Sequence, residues 1–91
     1  MKNEMTKLIE ILKKSNIPFQ VTSCWGAPQV WYPNRKHVVC DAVCHKLSFG
    51  GKDGLLEIMG LVDEEEVGDD VEGYLTAEKV ANRIFEHYHK V

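Results

Sequence analysis

The stretch "VVCDAVCHK", residues 38–46, gathers two cysteines four apart, an aspartate, a histidine and a lysine in nine residues. Thiolates, imidazoles and carboxylates hold zinc or act as nucleophile and base, so a metal or catalytic site is the first chemistry to weigh. The valines of the segment favour a strand. On a strand the rise of about 3.3 Å per residue sets positions four apart about 13 Å from each other, whereas zinc holds a thiolate at about 2.3 Å. Cys40 and Cys44 therefore share an ion only if the segment is helical or sharply bulged. No CxxC pair is present to support Cys24, His37 or His45 as further ligands. Cys44 and His45 are adjacent and point to opposite faces of a strand, beyond the reach that a nucleophile and its base need. Cys24, in the loop "CWG", is the better candidate for a reactive thiol. Asp41 and Lys46 invite comparison with small metal-dependent nucleases, which group acids and a lysine on adjacent strands. These two also face opposite ways, and no second acid lies in the expected neighbourhood. The reading adopted is structural: Val38, Cys40, Ala42 and Cys44 form a small apolar face beneath helices, with cysteine behaving as a small hydrophobe. No catalytic residue, metal site or cofactor is assigned, and a small nuclease is the third-ranked function.

The elements around this segment follow from periodicity and punctuation. Met5, Leu8, Ile9 and Leu12 trace one face of an N-terminal helix, capped by Asn3 and ended by Asn16 and "IP" at 17–18. "FQVTS" (19–23) alternates as a strand, "QVWYP" (29–33) reads as a second, and residues 37–45 as a third. Their connections are too short for crossovers, so the sheet is antiparallel. "SFGGKDG" (48–54) must be a loop. "DGLLEIMG" reads as a short helix capped by Asp53 and stopped by Gly60. A last helix starts at Thr76, with Val80, Ala81, Ile84, Phe85 and Tyr88 as its apolar stripe. The expectation is a single α+β domain over residues 1–91: an N-terminal helix, a three-stranded antiparallel sheet, and a short helix and C-terminal helix packed on one sheet face.

Ninety-one residues leave room for one core only. No apolar run is long enough to span a membrane, and "MKNEMTKLIEILKK" mixes charge into its apolar positions, unlike a secretory signal. The expected compartment is the cytoplasm, where three cysteines stay as thiols. The net charge of −3 hides an asymmetry: residues 1–46 carry +4 and residues 47–91 carry −7. Most of the acid lies in "DEEEVGDDVE" (63–72). Asp63, Glu64, Glu65, Glu66, Asp69, Asp70 and Glu72 are the candidate docking surface for a partner, a host protein with a basic face. The bland alternative is a solvated loop. Trp25, Trp31 and Tyr32 lie near Arg35 and Lys36, a combination that stacks on bases and neutralises phosphates; it makes nucleic-acid binding the second reading. "GLLEIMGL" is apolar nearly all round and is expected between the sheet and the last helix, with homo-oligomerisation through an exposed patch as the alternative.

"VVCDAVCHKLSFGGKDGLLEIMGL" followed by "VEGYLTAEKVANRIFEHY" resembles a group of small uncharacterised proteins of phages and integrative elements in Gram-positive gut bacteria. The similarity covers residues 30–89, and "GLLEIMG" and "EGYLTAEKV" are its most specific pieces. It implies a setting: a mobile genetic element, a bacterial cytoplasm and a small accessory gene product. It transfers no activity and no site. The leading expectation is thus a small acidic, non-enzymatic binding protein, an inhibitor of a host nucleic-acid-handling or defence protein in the manner of an anti-CRISPR. That rests on analogy of setting.

Overall fold

A computed structural model of the chain describes residues 3–63, 65 and 70–90. Helix α1 (Glu4–Lys14) is followed by strands β1 (Gln20–Cys24), β2 (Ala27–Tyr32), β3 (Cys40–Val43), β4 (Leu56–Met59) and β5 (Val71–Leu75), then by helix α2 (Ala77–Lys90). The five strands form one antiparallel sheet in sequence order, a pure meander. The class is α+β as expected, but the sheet has five strands where three were expected.

The terminal helices form where the sequence places them. The Asn3 side chain accepts the N–H groups of Met5 and Thr6 at 3.1 and 3.4 Å, satisfying two of the donors that a helix start leaves free. Asn16 stands in the left-handed region at φ 56° and ends the first helix. Thr76 Oγ1 accepts the Lys79 N–H at 3.3 Å and caps α2. Met5, Leu8 and Leu12 from α1 meet Val80, Ala81 and Ile84 from α2, and both rows lie on one face of the sheet. Val30, Tyr32, Cys40, Ala42, Leu56, Ile58 and Leu75 complete this core. Complete burial of a leucine such as Leu8 or Leu12 contributes about 1.5–3 kcal/mol. Phe85 is only half-buried and Tyr88 is exposed, so the stripe of α2 is narrower than its sequence spacing predicts.

The segment "GLLEIMG" is strand β4, not a helix. Leu56 and Ile58 point into the core, while Glu57 and Met59 point to the open face, and β4 lies between β3 and β5. So short a segment fits either periodicity, and pairing on both sides decides it. Asp53 belongs instead to a short 3-10 turn, Gly51–Asp53, which Gly54 ends. The fifth strand, Val71–Leu75, carries Glu72 inward, a reversal of the polar-out pattern by which strands are recognised. Strand β3 is shorter than the 37–45 expected; Cys40, Ala42 and Cys44 are buried as proposed, whereas Val38 is exposed before the strand begins.

Candidate binding site at one end of the sheet

In a meander, alternate turns share an end. The β1–β2 turn, the β3–β4 loop, the end of β5 and the start of α1 therefore gather at one end of the sheet. The β2–β3 and β4–β5 loops gather at the other. Contacts at the first end bear this out: the Trp25 and His45 rings lie 6.3 Å apart, the Tyr74 N–H donates to the Phe49 carbonyl at 3.1 Å, and the Glu4 N–H donates to the Gly54 carbonyl at 2.8 Å.

This end presents large apolar side chains to water. Trp25, Leu47, Phe49 and Tyr74 are 60–72% exposed. The backbone is built to hold them there. The His45 N–H donates to Ser48 Oγ at 2.9 Å, Ser48 Oγ donates back to the His45 carbonyl at 2.8 Å, and the Leu47 N–H donates to His45 Nδ1 at 3.1 Å. The Phe49 N–H is held by Glu57 Oε1 at 2.9 Å. Tyr74 adopts φ 58° beside an irregularity in the β4–β5 register, a conformation that costs a non-glycine residue about 1–2 kcal/mol. The bulge turns its ring out to solvent. Two glycines let the loop lie against β5. A Cβ on Gly73 would come within 2.2 Å of Phe49 Cβ, and one on Gly50 within 2.9 Å of the Tyr74 backbone. Phe49, Gly50 and Tyr74, with Lys46, Lys52 and Asp53, line a cleft of about 330 Å³.

A second cleft, of about 390 Å³, runs beside α2 between Leu61, Val62, His87 and Lys90. Its strongest cation is already engaged: the Arg83 guanidinium forks onto Glu72, with Nη2 to Oε2 at 3.0 Å, and donates to the Leu61 carbonyl at 3.2 Å. Lys90 at the larger opening is exposed and shares it with the acids Asp63 and Glu86, whereas the exposed Lys46 and Lys52 share the smaller one with a single acid, Asp53.

The aromatic and basic residues singled out in the sequence are distributed over both ends. Trp25 is at the cleft end. Trp31 lies on the open sheet face, its Nε1–H donating to Thr22 Oγ1 at 2.7 Å and its ring covered by the Arg35 guanidinium at 5.5 Å. Tyr32 is in the core, with its hydroxyl 2.8 Å from His87 Nδ1. Arg35 and Lys36 are exposed in the far loop. Among the acids, Glu72 is buried, pairs with Arg83 and accepts the Asp63 N–H at 2.9 Å. Asp63 Oδ1 accepts the Glu65 N–H at 3.2 Å, and Glu65 and Asp70 are exposed. Glu64, Glu66 and Asp69 lie outside the described residues.

The residues of "VVCDAVCHK" do not assemble a centre. Burial first, then Asp41, pushes the Cys40 thiol up to about 12; burial, then Glu4, raises that of Cys44. Both groups are therefore thiols at neutral pH, the form that neither attacks nor binds metal well. Among the described residues no group of three or more His, Cys, Asp or Glu side chains could hold a metal ion. The sequence reading missed one neighbour. With β4 a strand, Glu57 shares the open face with Asp41, whose carboxyl is raised by burial and then by the Glu57 charge. Lys46 sits beyond β3 in the loop and lines the smaller cleft.

No described helix is long and apolar enough to cross a membrane. Comparison with protein-family models, with curated proteins and with solved structures yields no match, so geometry alone carries the functional reading.

Proposed function

We propose that the protein is a binding protein that engages a macromolecular partner through the aromatic end of its sheet. One observation carries this reading: Trp25, Leu47, Phe49 and Tyr74 come from three separate segments and are all exposed at the same end. Leaving such side chains in water forgoes about 1.5–3 kcal/mol each relative to burial, which a partner can recover. Aromatic anchors ringed by a few charges are also what concentrates binding energy in an interface. The loop that carries Leu47 and Phe49 is held by hydrogen bonds among His45, Ser48 and Glu57, so little ordering of it is left to be done on binding. Of the seven acids of the far segment, Glu72 is buried and pairs with Arg83.

The test is capture from a bacterial lysate on immobilised protein. Trp25→Ala, Leu47→Ala and Phe49→Ala combined should lose the species that the native protein retains, with an unchanged circular dichroism spectrum. Amides at Asp70 and Glu65 should retain it. Equal capture by the native and triply substituted proteins would place the partner elsewhere.

A further inference from the structure

The cleft at the aromatic end has a composition that selects among partners. Its walls include the exposed rings of Phe49 and Tyr74, and the exposed ammonium groups of Lys46 and Lys52 stand at the same opening. Glu57 reaches this loop as well, but its Oε1 is occupied by the Phe49 N–H. Asp53 is the one acid that lines the cleft. A volume of about 330 Å³ is at the small end of ligand pockets and suits a single planar group with its substituent. Trp25, 72% exposed, offers a further ring at the same end.

Flat rings beside exposed cations are complementary to a base joined to a phosphate. Stacking uses the face common to every base, and the ammonium groups meet the backbone charge. A duplex hides its base faces and would leave the rings unused. From these features we infer that the cleft binds one nucleotide of a single-stranded nucleic acid: the base against Phe49 and Tyr74, the flanking phosphates at Lys46 and Lys52, and the strand continuing across the end of the sheet toward Trp25. This deepens the reading of the aromatic end as the binding surface and rests on it. It also moves nucleic-acid contact away from Arg35, whose guanidinium already covers Trp31.

The probes are labelled oligo(dT), oligo(U) and a DNA duplex, with anisotropy for binding and tryptophan fluorescence for stacking. Both single strands should bind at low salt and quench tryptophan emission, and the duplex should bind more weakly. Phe49→Ala and Tyr74→Asn should each weaken binding about 5- to 100-fold; asparagine tolerates the left-handed backbone at position 74. Lys46→Gln with Lys52→Gln should lower the slope of log K against log salt by about 1.4, at about 0.7 per phosphate on a single strand. Absence of single-strand binding at low salt would overturn the inference. So would binding that survives loss of both rings, or that is lost instead with Arg35→Glu and Lys36→Glu. If the lysate partner is still lost on removing Trp25, Leu47 and Phe49 but resists nuclease and no oligonucleotide binds, the partner is a protein. The aromatic end then stands as the binding surface without the nucleic acid.

Discussion

Arg83→Met should destabilise the protein by about 2–3 kcal/mol at neutral pH, through the carboxylate that it leaves behind. Glu72 is 8% exposed and accepts two hydrogen bonds from Arg83 and one from the Asp63 N–H. Breaking a fully buried pair costs about 3–5 kcal/mol, while exposed pairs contribute about 0–1. The Arg83 side chain is 25% exposed, so the cost falls between these bounds. For a chain of this length it corresponds to a fall in Tm of roughly 10–20 °C. The pH dependence gives a second reading of the same interaction. The Arg83 hydrogen bond holds the Glu72 carboxyl below its ordinary 4.5, against the opposing pull of burial. A depressed carboxyl contributes stability that is full above about 4.5 and is lost as pH falls through the folded value. Without Arg83 the largest lowering influence is gone and only the Asp63 N–H and Lys79 still oppose burial, so the depression shrinks and the gap between native and Arg83→Met should narrow on acidification. Glu72→Leu combined with Arg83→Met, which removes both charges, should lie within about 1 kcal/mol of the native protein. Urea unfolding at neutral and acid pH measures all three variants. A loss below about 1 kcal/mol for Arg83→Met, or a gap that does not change with pH, would refute this account.

Along α2, Ile84→Ala should cost about 3–4 kcal/mol, since Ile84 is 1% exposed, and half-buried Phe85→Ala only about 1–2, both by urea unfolding. Asp41→Asn should stabilise by about 0.5 kcal/mol at pH 7 and not at pH 3, because a carboxyl raised by burial and by Glu57 loses stability as pH climbs above 3.8. Gly73→Ala should destabilise by about 2 kcal/mol, since its Cβ would meet Phe49 Cβ at 2.2 Å; thermal denaturation and an altered environment at Phe49 by NMR would check it.

What could be read from the chain tracks how local each signal is. Asn3, Asn16 and Thr76 act on their own neighbours, and the two long helices stood out accordingly. "GLLEIMG" failed because Leu55, Leu56, Ile58 and Met59 together have helical spacing, while the strand alternation rests on Leu56 and Ile58 alone. "VEGYL" was hidden by Glu72, whose inward charge needs Arg83, eleven residues later, to make sense. The aromatic end was invisible for the same reason. Phe49 and Tyr74 meet only across the β4–β5 pair, and without those two strands the loops could not be assigned to an end. Trp25 and the "SFGGKDG" loop were noticed singly, and the missing information was the strand count.

The meander also bears on the order in which the molecule assembles. Every strand pairs with its neighbour in sequence, whereas the seam between α1 and α2 joins the two extremes of the chain, as in the Ala77 N–H bond to Glu4 Oε1 across 73 residues. Closing short loops costs less chain entropy than closing long ones, so hairpins should be structured in the transition state and the helix seam should close after it. Leu8→Ala should then accelerate unfolding and leave the refolding rate nearly untouched, while Ala42→Gly, within the central strand, should slow refolding. Native-state fluctuations would follow the same hierarchy. The helices would part from the sheet before the sheet itself comes undone, and amides of β2 and β3 would exchange last.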